Sequence, residues 1–240
     1  MPEDKIDGQL VEKLAYLPAL APFQPAIEAP PLNALPALTN CHITFGNFNR
    51  FNKLQPQTIA LWAELLHAVL DARMLIAGVP HDNTYTIVNG WFRNTGIDTD
   101  RIEYRQRSSL EKFLVHYLDA DIALDTFPYA GGVTTLQSLW MGVPTLTLPG
   151  DLIASRGSTS VLSLAGLQDF VARDRADFVA KGSAWAHAAD ELARIRAGMR
   201  ERCMQSPFFE ADAVATAFAR AIRKMWQGWC AGKSPATFDA

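Results

Sequence analysis

The stretch DTFPYAGGVTTLQSLWMGVPTLTLPG, residues 125–150, places a Gly-Gly-x-Thr-Thr turn between a short apolar strand and a helix. The first amides of a helix have no intrahelical partner and lie at the positive end of the helix dipole. Glycines and threonines at a helix start pack poorly but suit the binding of an anion. If this turn holds a phosphate, the protein binds a nucleotide or a sugar phosphate.

Strands and helices alternate on both sides of this turn. The pattern predicts strands in HITFG, RMLIAG, RIEYR, DIALDT and PTLTLPG, and helices in QPQTIALWAELLHAVL, Tyr85–Asn94, SLEKFLVHYLDA and TTLQSLWMG. Such alternation is typical of a parallel sheet with right-handed crossovers and helices on both faces. We therefore predict a Rossmann-like α/β lobe that binds ligands at the carboxyl ends of its strands. Helices dominate after Gly150, at residues 158–165, 176–181, 184–204 and 211–229.

The composition excludes several classes of function. The chain has 240 residues, 49% of them hydrophobic and 20% charged, which is typical of a globular protein with a sizeable core. A net charge of −3 and the lack of a basic run predict no binding to nucleic acid. Neither a signal peptide nor an apolar run of the roughly 20 residues that span a membrane is apparent. Three cysteines without CxxC spacing fit a reducing compartment, so we expect a soluble cytoplasmic protein without membrane partners.

Residues 1–40 differ from the rest because they contain seven of the fourteen prolines. Proline fixes φ and lacks an amide donor, so this segment is predicted to be an extended connector. It has room for one short helix near residues 11–16. Because it buries little by itself, we expect it to lie along another surface.

The loop FGNFNRFNKLQP, residues 45–56, follows the first predicted strand and offers amide and cationic donors that suit phosphate oxygens: Asn47, Asn49, Arg50, Asn52 and Lys53. Lys53 would bind a phosphate oxygen as a point charge, whereas Arg50 would bind through a fork of hydrogen bonds. The alternative is a solvated turn whose asparagines, Asn47, Asn49 and Asn52, tolerate left-handed backbone.

In PYAGGVTTLQ, Gly131 and Gly132 would let the backbone approach a ligand, and Thr134 or Thr135 would cap the helix. The alternative is an ordinary strand-to-helix turn with a threonine cap. Because this turn and the Lys53 loop lie at strand ends of one predicted sheet, they can converge on one ligand, which favours a nucleotide site.

The segment RQRSSLEKFLVH begins a helix just after a strand, with Ser108 or Ser109 as its cap. Phe113, one turn into this helix, would stack on a nucleobase or, alternatively, belong to the core. The five histidines are scattered and form no metal-binding motif. We interpret Asp121 and Asp125 as helix or turn caps, and no residue is a convincing general base.

Four segments together resemble the catalytic region of the O-GlcNAc transferase family, which includes SPINDLY-like enzymes and bacterial proteins with tetratricopeptide repeats. They are FGNFNRFNKLQPQTIALWAELL, residues 121–150, IASRGSTSVLSLAGL, and SPFFEAD with MWQGWCAGKSP. The resemblance runs from about residue 10 to 235. It implies the second lobe of a GT-B glycosyltransferase, which transfers a sugar from UDP-GlcNAc or a related nucleotide sugar to a protein Ser/Thr hydroxyl with inversion. No metal or other cofactor is implied.

The resemblance also assigns residues. The family's essential lysine, which stabilises the departing diphosphate, corresponds to Lys53. Positions around the diphosphate and sugar correspond to Tyr129, Gly132, Val133, Thr134 and Gln137, and positions that contact uracil and ribose correspond to Ser108, Leu110, Phe113 and His116.

The chain also departs from the animal enzymes of this family. They have glutamine where Arg50 stands, histidine at Gly132 and aspartate at Gln137, and their uracil-stacking histidine and a nearby lysine are replaced by Phe113 and Leu110.

The tetratricopeptide repeats and the first lobe, with its proposed catalytic histidine, are expected partners outside this sequence. The resulting division is a connector and first-lobe tail at residues 1–40, a nucleotide-sugar-binding lobe at 41–206, and a crossing helix and tail at 207–240. The competing hypothesis is a truncated, non-catalytic nucleotide-binding or interaction module.

Overall fold

A computed structural model describes residues 9–19, 22–82 and 84–240. Its central element is a five-stranded parallel sheet of order β4-β3-β2-β5-β6, and a separate two-stranded parallel pair joins β1 to β7. The strands are β1 (Ala15–Tyr16), β2 (Thr44–Asn47), β3 (Arg73–Val79), β4 (Ile102–Gln106), β5 (Ile122–Leu124), β6 (Thr145–Leu146) and β7 (Phe238–Asp239).

Helices connect consecutive strands of the sheet and then form the C-terminal part of the chain. They are α1 (Ala37–Asn40), α2 (Pro56–Ala68), α3 (Tyr85–Asn94), α4 (Leu110–Val115), α5 (Val133–Trp140), α6 (Gly157–Leu164), α7 (Arg175–Ala186), α8 (Ala189–Met204) and α9 (Ala211–Cys230). Among the described residues, no helix combines the length and the apolar character that a membrane span requires.

The sheet is buried on both faces, as its alternating side chains show. In β3, Met74 and Ile76 belong to one core cluster, with α2, α3 and α7, whereas Leu75 and Ala77 belong to a second cluster on the opposite face. Leu114 of α4 lies in that second cluster. The predicted fold class, a parallel sheet with helices on both faces and a helical C-terminal part, is therefore confirmed.

The strand order reverses between β2 and β5. From β2 the sheet grows through β3 to β4 on one side, and from β5 it grows to β6 on the other. The chain therefore leaves β2 and β5 toward opposite sides of the sheet, and the carboxyl edge between these two strands is the switch point, where open parallel sheets bind their ligands.

Several predicted elements differ in detail. The expected helix at residues 109–120 is α4 followed by a 3-10 turn, His116–Asp119. Residues 184–204 divide between α7 and α8, which His187 and Ala188 separate. The short helix near residues 11–16 is wrong, because Ala15 and Tyr16 pair with Phe238 and Asp239 as strands. This pairing joins segments near the two ends of the chain, and the sequence around either segment gives no sign of such a distant partner.

The proline-rich segment packs against the lobe, as expected from its inability to bury surface alone. Ala26, Ala29 and Leu32 cover the second core cluster, and Leu35 is 2% exposed in the first. Arg196 of α8, itself buried, donates to the carbonyls of Asn33 and Ala120 at 3.1 and 2.9 Å. The domain boundaries near residues 40 and 206 stay predictions.

Candidate functional site

A groove of about 600 Å³ lies at the carboxyl edge of the sheet. Its walls come from the loops after β2 and β4, from the end of β3 and from the first two turns of α5. Seven of the residues that the sequence offered for the site line it: Asn49, Arg50, Asn52, Ser108, Phe113, Thr134 and Gln137.

Lys53 joins the loop after β2 to the loop after β5. It ends a 3-10 turn, Phe51–Lys53, and its Nζ donates to the Ala130 carbonyl at 2.8 Å. The same Nζ lies 4.2 Å from the centroid of the Tyr129 ring, where a cation is attracted to the π face. Both contacts are to neutral groups, so among the described residues no ion pair occupies the Lys53 ammonium.

The surroundings of Lys53 weaken its hold on the proton. Burial is the main cause that lowers the pKa of Lys53 below its ordinary value; the Coulombic influence of Asp125 opposes this shift, and that of Arg50 adds to it. An anion bound beside Lys53 would stabilise the charged form in the same way as Asp125 does, but from the solvent side.

The Asp125 carboxylate connects three loops at the carboxyl edge of the sheet, those that follow β2, β5 and β6. Its Oδ1 accepts from the amides of Thr126 and Gly131 at 2.9 and 2.8 Å and from Asn49 Nδ2 at 3.2 Å. Its Oδ2 accepts from Thr147 Oγ1 at 2.7 Å. Burial raises the pKa of Asp125, and hydrogen bonds from the hydroxyls of Ser158 and Thr147 and from the amides of Gly131 and Thr126 oppose the shift. The interpretation of Asp125 as a turn cap is confirmed, and its role extends to the loops after β2 and β6.

Asp121 lies at the other end of β5. Its carboxylate accepts from the amides of Ala37 and Thr44 at 2.9 and 2.8 Å, near the amino edge of the sheet. It therefore has no place at the groove.

The two glycines of the turn before α5 have different environments. A Cβ on Gly131 would lie 2.5 Å from Thr135 Oγ1, and a Cβ on Gly157 would lie 2.2 Å from the Gly131 carbonyl oxygen, so the turn is packed against the start of α6. A Cβ on Gly132 would meet no protein atom within 4 Å. The open side of the turn is therefore at Gly132.

The predicted threonine cap of α5 is wrong. The N-cap residue is Gly132, and no side chain caps it. Thr134 and Thr135 lie within the first turn, so their hydroxyls are past the position from which a cap reaches the free amides. Thr135 Oγ1 instead hydrogen-bonds to Ser158 Oγ at 2.7 Å, and Thr134 lines the groove. The start of α5 is thus left without a side-chain cap, on the side where the groove lies.

Phe113 packs into the aromatic core and also lines the groove, and its stacking on a nucleobase stays a prediction. Its ring packs edge to face against Phe48 and Tyr117, with centroids 6.2 and 5.8 Å apart, and it also lines the groove. His116 lies behind it, with its ring centroid 6.3 Å from that of Phe113. Burial, followed by the influence of Arg105, lowers the pKa of His116.

The serines before α4 do not cap it through their side chains. Ser109 occupies the N-cap position, but its side chain makes no capping hydrogen bond. Ser108 Oγ lies 3.4 Å from the Ser109 carbonyl and lines the groove.

The model for glycosyl transferase family 41 matches residues 34–218, which is more than half of the chain. The chain belongs to glycosyl transferase family 41.

Relatives of known name agree with this assignment. The chain is 33% identical over 230 residues to a probable UDP-N-acetylglucosamine–peptide N-acetylglucosaminyltransferase SPINDLY of Hordeum vulgare, covering 94% of this chain and 24% of that protein. It thus spans about a quarter of the length of the curated relatives it matches.

Solved structures agree as well. A mutant O-GlcNAc transferase of Thermobaculum terrenum matches with a TM-score of 0.73 and 29% identity, over 92% of this chain and 40% of that one. The sucrose-phosphate synthase of Thermosynechococcus elongatus matches with a TM-score of 0.55 at 14% identity, over 86% and 50% of the two chains, which shows the shared fold alone. The family 41 chain therefore has the fold of a GT-B lobe.

The remaining predicted residues of this family 41 lobe lie around the groove rather than along its wall. Lys53, Tyr129 and Gly132 meet near the start of α5, through the contacts of Lys53 with the loop after β5. Val133, the first residue of α5, has 63% of its surface exposed, and Leu110 of α4 has 47%. His116 is half-buried.

Three groove residues were not predicted from the sequence: Phe48, Gly78 and Arg107. Gly78 has a φ of +77°, a conformation that favours glycine, at a register shift between β3 and β4. In the sequence, a glycine within an apolar strand can mark either a bulge or a close approach of the backbone to another group, so it did not identify a groove residue. Arg107 stands two residues after the predicted strand RIEYR, and a cation so near a strand end was a usable signal. Among the described residues, no group of three or more His, Cys, Asp or Glu side chains is arranged to hold a metal ion.

Proposed function

We propose that this chain is the donor-binding lobe of a glycosyltransferase that moves GlcNAc from UDP-GlcNAc to a Ser or Thr hydroxyl of a protein. The curated relatives are named as probable UDP-N-acetylglucosamine–peptide N-acetylglucosaminyltransferases, and the chain corresponds to about a quarter of their length. The observation that carries the proposal is the position of Lys53, whose charge lies where the loops after β2 and β5 meet at the switch point of the sheet.

In this reaction the acceptor oxygen forms a bond to the anomeric carbon of the sugar while the bond from that carbon to the diphosphate oxygen breaks. The acceptor proton leaves to a base or to solvent, and UDP departs with an added negative charge. Attack from the face opposite the leaving group inverts the anomeric centre.

Lys53 and the uncapped start of α5 would face the departing diphosphate. Their hydrogen bonds strengthen as charge builds on the leaving oxygens, so they lower the barrier rather than only tightening donor binding. No metal is required for this role, because the ammonium and the helix amides supply the positive charge. Phe113, Ser108 and His116 would form the nucleoside end of the site.

The first lobe, tetratricopeptide repeats and a protein acceptor are the partners of this proposal, and the cytoplasm is the proposed compartment. The first lobe would close the groove and position the acceptor. The second candidate function is a non-catalytic nucleotide-binding or interaction module, because the sequence of this lobe offers no convincing general base.

The phosphate end of the site can be tested by calorimetry on a Gly132→Val, Thr134→Ala double variant. We expect it to weaken the binding of UDP about tenfold or more and that of uridine much less. The valine side chain projects where no protein atom lies within 4 Å, so its bulk meets the ligand, and the alanine removes a hydroxyl from the groove wall. An equal loss for both ligands would mean that this turn does not contact phosphate. Gly90→Val, at another position where a Cβ meets no protein atom, is the matched control.

The two candidate functions differ in what the 240-residue chain does alone. We expect it to bind UDP weakly and to transfer no sugar to a peptide library from radiolabelled UDP-GlcNAc. The nucleotide contacts come from this lobe, but nothing orients the acceptor, and orientation supplies roughly 7–11 kcal/mol of such a barrier. Absence of UDP binding at millimolar concentration would favour the interaction module. Robust transfer would show that one lobe, or a dimer of it, suffices.

A further inference from the structure

Arg107 is an exposed arginine of the groove that has no role in the site described above. It directly follows β4, and its amide donates to the Val79 carbonyl at 2.9 Å, which extends the pairing of β3 with β4 by one residue. Its side chain lines the groove beside Ser108 and Phe113.

The backbone of Gly78 orients this arginine. The register shift at Gly78, with its φ of +77°, places the Gly78 carbonyl 3.4 Å from Arg107 Nε. Within the described part of the chain this is the one hydrogen bond of the Arg107 side chain. The exposed Asp82 carboxylate is close enough to feel its charge: the pKa of Asp82 is lowered mainly by hydrogen bonds with Thr84 and to a small extent by Arg107. The described residues form no ion pair with Arg107, so its terminal nitrogens are open to a ligand. A Cβ on Gly78 would lie 3.5 Å from the Phe113 ring, which places the ring and the guanidinium at the same end of the groove.

That end is far from the proposed phosphate end. In the sheet, β4 and β5 are three strand positions apart, which corresponds to roughly 14 Å at the usual spacing of about 4.8 Å. The Arg107 backbone therefore lies nearer to Phe113, at the proposed nucleoside end of the groove, than to the start of α5. If the diphosphate of a nucleotide binds at the start of α5, the base of that nucleotide would lie near Arg107 and Phe113.

We propose that Arg107 is a specificity-determining residue that reads the edge of the nucleobase stacked on Phe113. A guanidinium presents a planar fork of donors, which matches two neighbouring acceptor atoms on a base edge. Exocyclic oxygens and ring nitrogens of nucleobases are such acceptors. This inference rests on the proposed nucleotide-sugar function and adds to it the residue that selects the base.

The test is to titrate UDP, GDP, CDP and ADP, and the four nucleosides, into the 240-residue chain and its Arg107→Gln variant, using ligand-observed NMR. We expect Arg107→Gln to weaken the best-bound diphosphate and its nucleoside by the same factor, about tenfold, and to narrow the spread of affinities among the four bases. Arg107→Lys keeps the charge without the fork, so it should not restore the preference.

The matched control is Arg73→Gln, since Arg73 is an exposed arginine at the opposite end of β3. It should leave all eight affinities unchanged. A loss confined to the diphosphates, or a base preference unchanged in Arg107→Gln, would overturn the role of Arg107 and leave the proposed function standing. If the unsubstituted chain binds none of the ligands, the proposed function fails, and this inference fails with it.

Discussion

Replacement of Lys53 by alanine is expected to lower kcat about 10²- to 10³-fold in an active enzyme that contains this lobe, with little change in Tm. The side chain lies on a loop at the carboxyl edge and is half-buried, so the fold loses one hydrogen bond, to the Ala130 carbonyl, and one contact with the Tyr129 ring. The reaction loses a charge beside the leaving group, in surroundings that exclude part of the solvent. We therefore expect the effect on catalysis to exceed the effect on stability by far.

The division of this effect between kcat and KM tests the proposed mechanism. A group that stabilises charge only as the diphosphate departs changes kcat and kcat/KM together, whereas one that binds the donor equally in both states changes KM alone. Lys181→Ala is the matched control, because Lys181 Nζ also donates to a backbone carbonyl, that of Asp169, at 2.8 Å. Unchanged turnover of the Lys53→Ala enzyme would exclude Lys53 from the reaction.

Asp125→Ala is expected to lower the free energy of unfolding by at least about 3 kcal/mol. The substitution leaves four donors without their acceptor at once, on Thr126, Gly131, Asn49 and Thr147. Each buried donor that loses its partner costs about 1–3 kcal/mol, and typical domains are stable by only about 5–15 kcal/mol. Urea unfolding, followed by circular dichroism, measures the change.

Two further variants separate this effect from a general loss of charge. Asp125→Asn keeps one carbonyl oxygen for the amides of Thr126 and Gly131, and its NH₂ group can donate to the Thr147 hydroxyl, so it should cost less than alanine. Asp119→Ala removes an exposed carboxylate whose ion pair with Arg105 is 3.7 Å long, and it should change stability by less than about 0.5 kcal/mol. A loss below about 1 kcal/mol for Asp125→Ala would contradict the role of Asp125 as the connection between the loops.

The resemblance and the local pattern predicted the same part of the site. The sequence predicts Lys53 and the Gly131–Gly132 turn at strand ends. The signals for this prediction are an apolar run, glycines and a donor-rich loop, and each of them lies within a short segment of the chain. The parallel sheet then brings those ends to one edge, as it does in this structure. The roles of the predicted residues in donor binding stay predictions until the nucleotide titrations are made.

Local sequence alone therefore established the alternation of strands and helices, the class of sheet and the loops that carry the candidate site. The tertiary structure was needed wherever a residue depends on a partner far along the chain. Thr135 bonds to Ser158 instead of capping α5, Ala15 and Tyr16 pair with the C-terminal strand, and Gly78 aligns Arg107 with Phe113. The physical reason is that periodicity and turn propensity report interactions within a few residues, whereas caps, strand partners and groove walls depend on which distant atoms the finished sheet brings within hydrogen-bond range.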